Sequence, residues 1–172
     1  SAKLIILQME IPIDIVEYII NLASKHNTYI ILNAAPAYEI REEVLAKVNC
    51  LVVNETEASF YLNKEINNFK SSEENCEELY KKIKDLLIIT LGENGSLLDD
   101  GKEKLHIKAK KVKVVETTGA GDSFIGAFAY KLLNDLPYKE AAEFASLISA
   151  VTVTKVGAQD SMPTYEEVNG LF

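Results

Sequence analysis

Between Val114 and Tyr130 the chain reads "VVETTGAGDSFIGAFAY". A helix beginning after Gly119-Ala120-Gly121 turns unpaired backbone N–H groups and the positive end of its dipole toward any anion. The small residues let those amides approach it closely. Asp122 then stands in the first helical turn, where an acid either favours the dipole or removes a proton from an attacking hydroxyl. An acid beside an anion hole is an arrangement for phosphoryl transfer with a general base. Helix capping alone accounts for it about equally well. Two familiar phosphate loops do not fit. G-x-G-x-x-G needs glycine at position 124, which is Phe124, and the P-loop lysine is replaced by Ala127.

Two further stretches offer related chemistry. "NETEA" sets Asn54 after an apolar run and Glu57 three residues on, which makes either a capping box or an amide and a carboxylate able to organise hydrated Mg²⁺ and phosphate. "TLGENG" (Thr90, Leu91, Gly92, Glu93, Asn94, Gly95) has glycines that admit close backbone approach to a nucleotide, or that simply turn the chain. Three such stretches at strand carboxyl ends would lie where open α/β sheets bind ligands.

Positioning them requires an alternating framework. "LIILQ", "TYIILN", "CLVVN" and "LLIITLG" are short apolar runs that predict buried strands, with helix candidates between them. "PIDIVEYIINLASKHN" places Ile13, Val16, Ile19, Ile20 and Ala23 at helical spacing, and "SSEENCEELYKKIKD" has Ser71-x-x-Glu74 as its expected cap. Asp100-Gly101 predicts a hairpin, "KVKVV" a further strand, and two helices with a short third, "TYEEVNGL", close the chain. The pattern indicates one α/β unit over residues 1–172, a mostly parallel sheet with helices on both faces and a small antiparallel hairpin.

Composition narrows the function classes. With 48% hydrophobic and 26% charged residues the chain is ordinary globular material. A net charge of −8 with no basic patch argues against nucleic acid as a partner, and no apolar run reaches membrane-spanning length. Cys50 and Cys76 lack Cys-x-x-Cys spacing, and His26 and His106 stand apart from other ligands, so no zinc site is expected and a cytoplasmic location is.

"TTGAGDSFIGAFAY", "NETEA", "ITLGENG" and "KVGAQDSMP" together resemble the carboxy-terminal part of the ribokinase family of carbohydrate kinases. The resemblance covers essentially the whole chain and implies a fold incomplete at its amino terminus, carrying the nucleotide-binding and catalytic portion. It implies ATP-dependent phosphorylation of D-ribose at the 5-hydroxyl, with ATP and ribose as small-molecule partners and Mg²⁺ and K⁺ as ions. Another sugar or nucleoside kinase, or a non-catalytic nucleotide-binding fragment, stays open, as does a homo-oligomer of the longer protein. Asp122 matches the base and a substrate contact, and Gly119, Ala120 and Gly121 match the anion hole. Asn54 and Glu57 match the Mg²⁺ and phosphate motif. Thr90 to Gly95, Gly121, Asp122 and Ser146 match nucleotide contacts, and Glu10 a ribose-contacting acid. Glu116, Thr118, Thr152, Lys155, Gly157 and Ser161 match a monovalent-cation site, with Glu116 standing where the family pattern has aspartate.

Overall fold

Strands β1 (Leu4–Leu7), β2 (Tyr29–Asn33), β3 (Cys50–Asn54) and β4 (Leu86–Thr90) form where the apolar runs are too short for helices and are bounded by polar residues. They pair in parallel and in chain order. β5 (Ser96–Asp99) turns back antiparallel to β4, and β6 (Lys104–Ile107) follows it as the last strand of the sheet. The computed structural model describes residues 2–169, which fall into two compact units divided after His106.

In the first unit, α1 (Ile13–Lys25), α2 (Glu42–Leu45), α3 (Glu55–Leu62) and α4 (Phe69–Tyr80) fill the connections. Val16, Ile20 and Ala23 of α1 join Leu7, Leu32, Leu51, Val53, Leu87 and Ile89 in one hydrophobic cluster. The alternate strand residues Ile31, Cys50, Val52, Leu86 and Ile88 are buried too, so both faces of the central strands are removed from water, as a parallel sheet requires. Each such aliphatic side chain contributes about 1.5–3 kcal/mol on full burial. Glu17 is buried on α1, where the Arg41 backbone N–H (3.0 Å) and side-chain Nε (2.7 Å) both donate to its carboxylate. That contact ties the loop before α2 to α1.

Two local expectations need correction. α4 starts at Phe69, and its cap is Asn68, whose carboxamide oxygen accepts from the Ser71 N–H at 2.9 Å. Ser71 supplies the returning side chain of that box, so it is the third residue of the helix and Glu74 has no part in the cap. Residues 111–115, "KVKVV", form no strand. Their alternation offers a valine face, but Val112, Val114 and Val115 stay exposed and no described strand pairs with them. Alternation without a neighbouring ladder does not make a strand.

The second unit holds α5 (Ala120–Leu132) and α6 (Tyr138–Thr152), which pack on each other, and the short α7 (Tyr165–Asn169). Phe124, Ile125, Phe128 and Ala129 of α5 are buried, as are Ala141, Ala142, Ala145 and Ile148 of α6. The alanines of α6 permit close approach of the helices. Of the expected "TYEEVNGL" segment, Gly170 and Leu171 lie outside the described residues.

Candidate active site

At the carboxyl end of the sheet, register pairs Asn54 directly with Thr90. Asn54 caps α3 through a reciprocal box. Its Oδ1 accepts from the Glu57 N–H at 2.9 Å, while its own N–H and Nδ2 donate to the two Glu57 oxygens at 2.8 and 3.0 Å. The capping role is thus fully realised. Burial pushes the Glu57 carboxyl above its usual range, against the opposing pull of the two Asn54 donors. A carboxylate whose ionised form is penalised by burial is one that a nearby cation would relieve.

Thr90 donates its hydroxyl to Val53 O at 3.3 Å and leads into a 3-10 turn over Gly92–Asn94. The turn closes with Leu91 N–H donating to Gly95 O at 2.8 Å, and Gly92 and Gly95 take φ of +52° and +89°. Both values favour glycine, so these two positions are needed by the turn itself. His106 Nε2 lies 2.7 Å from Asn94 O and its ring stacks on Phe69 at 4.0 Å, which steadies the loop from the β6 side. Beneath the loop the Ser96 hydroxyl is buried with no hydrogen-bond partner among the described residues. Glu10 is exposed just beyond β1, where Met9 N–H donates to Ala35 O at 3.0 Å.

In the second unit, Gly119 stands immediately before α5 at φ +78°, and a Cβ added there would meet Ala158 O at 3.2 Å. Ala120 N–H is drawn back to Thr117 O at 3.2 Å, so this member of the expected anion hole already has a partner. A Cβ added at Gly121 would meet nothing within 4 Å, and the residue is exposed. Asp122 is exposed in the first turn. A cleft of about 490 Å³ opens beside it, bounded by Gly126, Tyr130, Phe144, Ile148 and Met162. Lys131 Nζ lies 4.1 Å from the centre of the Phe144 ring at its rim. Ser146 is half-buried in the middle of α6.

The cation-site positions cluster in part. Glu116 accepts from the Thr118 hydroxyl at 2.6 Å and from the Gly157 N–H at 2.9 Å, and these donors hold its carboxyl below the usual range. Gly157 adopts φ +100°, and Ser161, fully buried nearby in sequence, donates to Ala158 O at 2.7 Å. Thr152 is buried at the end of α6 and spends its hydroxyl on Ile148 O at 3.0 Å. The Lys155 side chain pairs with Glu167 at 2.6 Å, a contact that leaves its backbone carbonyl uninvolved. No group of three or more His, Cys, Asp or Glu side chains able to hold a metal occurs among the described residues.

The profile of the pfkB family of carbohydrate kinases matches residues 1–165. The chain belongs to that family. A ribokinase of Schizosaccharomyces pombe is 36% identical over 178 aligned residues, spanning 100% of this chain and 55% of that enzyme. A deoxyribokinase of Salmonella typhi is 33% identical over 98% of this chain and 56% of its own length. Among solved structures, Arabidopsis thaliana ribokinase complexed with ribose and ATP superposes with a TM-score of 0.92 at 29% identity, over 99% of this chain and 55% of that one. The chain therefore spans about 55% of the length of these family members.

One polar residue at the sheet end escaped sequence reasoning. Asn33 closes β2 as Asn54 closes β3, and the parallel "IILN" and "LVVN" endings were the available signal. No described helix is long and apolar enough to cross a membrane.

Proposed function

We propose that the chain is the carboxy-terminal, nucleotide-binding and catalytic portion of an ATP-dependent sugar kinase that phosphorylates D-ribose on its 5-hydroxyl. The observation that carries the reading is an acid in the first turn of a helix entered through Gly119-Ala120-Gly121, within a chain matched to a carbohydrate kinase family. The ribose complex of a relative supports the sugar, and the deoxyribokinase among the relatives marks its 2-position as the open point.

In this reading Asp122 accepts the proton of the attacking hydroxyl as that oxygen bonds to the terminal phosphorus and the bond to the departing ADP breaks. First-turn amides, above all that of Gly121, stabilise the charge on the phosphoryl oxygens in flight. Thr90–Gly95 and Ser146 receive the nucleotide, and Glu10 holds a sugar hydroxyl. Mg²⁺ fits Glu57 and Asn54 through water and phosphate, because this ion binds with one or two carboxylates and keeps several waters. Bound there it would neutralise charge shared by the nucleotide phosphates. A monovalent cation would take its place by Glu116, Thr118, Gly157 and Ser161.

Two measurements test the proposal. The chain by itself binds MgATP weakly and gives no ribose-dependent ADP release, because catalysis by positioning, worth roughly 7–11 kcal/mol, needs both substrates held. Turnover near 1–100 s⁻¹, roughly the kinase range, from the chain alone would contradict the division of labour proposed. Within a chain of the relatives' full length, Asp122→Asn lowers kcat by about 10²–10⁴ with nucleotide affinity nearly unchanged. Wild-type turnover in that variant would remove Asp122 as the base.

A further inference from the structure

Asn33, Asn54 and Thr90 each close a strand, on β2, β3 and β4. Asn33 pairs with Val52, and Asn54 with Thr90. Side chains alternate along a strand, so residues 52 and 54 share a face, and all three polar side chains project from the same side of the sheet. They do not have the same local obligations. Both amide functions of Asn54 are engaged with Glu57, and the Thr90 hydroxyl is given to Val53 O. Asn33 is only 8% exposed, yet its carboxamide has no hydrogen-bond partner among the described residues. A primary amide in so narrow an opening is poorly hydrated, and a ligand that replaces its water gains a hydrogen bond.

Among the described residues none supplies a partner for this amide, so water or a bound ligand would. Asn33's polar atoms keep a small opening to solvent, whereas the orphaned Ser96 hydroxyl is sealed and could meet a ligand only after rearrangement. Adjacent strands lie ~4.8 Å apart, so β2 places Asn33 one strand from the end of β3, with Asn54, and one strand from the end of β1, beyond which Glu10 lies. Resting on the kinase reading above, this stretch lies between the residue assigned to a sugar hydroxyl, Glu10, and those assigned to Mg²⁺ and phosphate, Asn54 and Glu57. The residue is also neutral, so it can donate to an anion without adding to the negative charge of Glu57.

We propose that Asn33 is a further substrate-binding residue, its Nδ2 donating to a non-bridging oxygen of the terminal phosphoryl group of the nucleoside triphosphate. A diphosphate lacks that group, which makes the assignment separable from general nucleotide binding. Calorimetric titration of the chain with MgATP and with MgADP, wild type beside Asn33→Leu and Asn33→Asp, is the test. ATP affinity falls about tenfold in Asn33→Leu, the worth of one hydrogen bond to a charged group, and further in Asn33→Asp, where a like charge faces the phosphate. ADP affinity stays at the wild-type value, and the melting temperature of Asn33→Leu does not fall. Unchanged ATP affinity in the leucine variant overturns the assignment, as does an equal loss for ATP and ADP. If Asn33→Leu does not fold, the same ATP-against-ADP comparison is read from Asn33→Asp. Wild-type chain that binds neither nucleotide would overturn the kinase reading itself, an outcome distinct from failure at Asn33 alone.

Discussion

Burial raises the Glu57 carboxyl and the Asn54 donors lower it, with burial the larger influence. A carboxyl raised in the folded state works against folding once it ionises. The penalty is absent below the ordinary value of 4.5 and complete above the raised one. Glu57→Gln keeps a capping-box side chain without the charge. It therefore melts at a higher temperature than wild type near neutral pH, and the gap narrows as pH falls toward 4.5. Thermal melts across that range check the sign. The same variant tests the metal assignment in the longer kinase. If Glu57 only caps α3, the Mg²⁺ dependence of the rate is untouched, and if it also organises Mg²⁺, more of the ion is required.

At the scale of an element, the entry to α5 separates two glycines that look alike in sequence. Gly119→Ala forces a Cβ onto φ +78° and against Ala158 O, and costs about 1–3 kcal/mol. Gly121→Ala meets open space within a helix and gains roughly 0.5–1 kcal/mol. If the Gly121 amide receives an anion, that more stable variant nonetheless binds MgATP less well. Denaturant melts and nucleotide titration on both variants separate stability from binding. These local geometries also explain what could be read beforehand. The four parallel strands and α1 were legible because apolar runs and helical periodicity are strong, local signals. α4 was misplaced because "SSEE" imitates a capping box, whereas Asn68 takes that role with Ser71's help. "KVKVV" misled because a strand depends on a neighbour that its own residues do not reveal. The "IILN" ending points to Asn33 as a strand-end residue, but whether its amide is engaged depends on neighbours across the fold that no local pattern announces.

For the molecule as a whole, the sheet ends at β1, and its surroundings are apolar. Ile6 on that strand is 41% exposed, and Ile11, Ile15, Tyr18 and Leu22 expose 44–64% of their surfaces along and just before α1. An uncapped edge strand beside such a stripe favours pairing with another chain. The chain by itself self-associates with rising concentration, and Ile6→Lys or Ile15→Lys weakens that association, as sedimentation velocity would record. Monodisperse wild-type chain at high concentration would contradict this. The two cysteines carry a different consequence. Cys50 and Cys76 are both buried, and burial raises both thiols, Cys76 to about 11 with Asp99 adding to the effect. Neither forms much thiolate at neutral pH, and reagents cannot reach them in the native state. Both lie in the first unit, and residues 107–172 contain no cysteine. The native chain thus carries its own clock: the rate at which a thiol reagent consumes these two side chains times the opening of residues 1–106, while the unit bearing Asp122 stays silent.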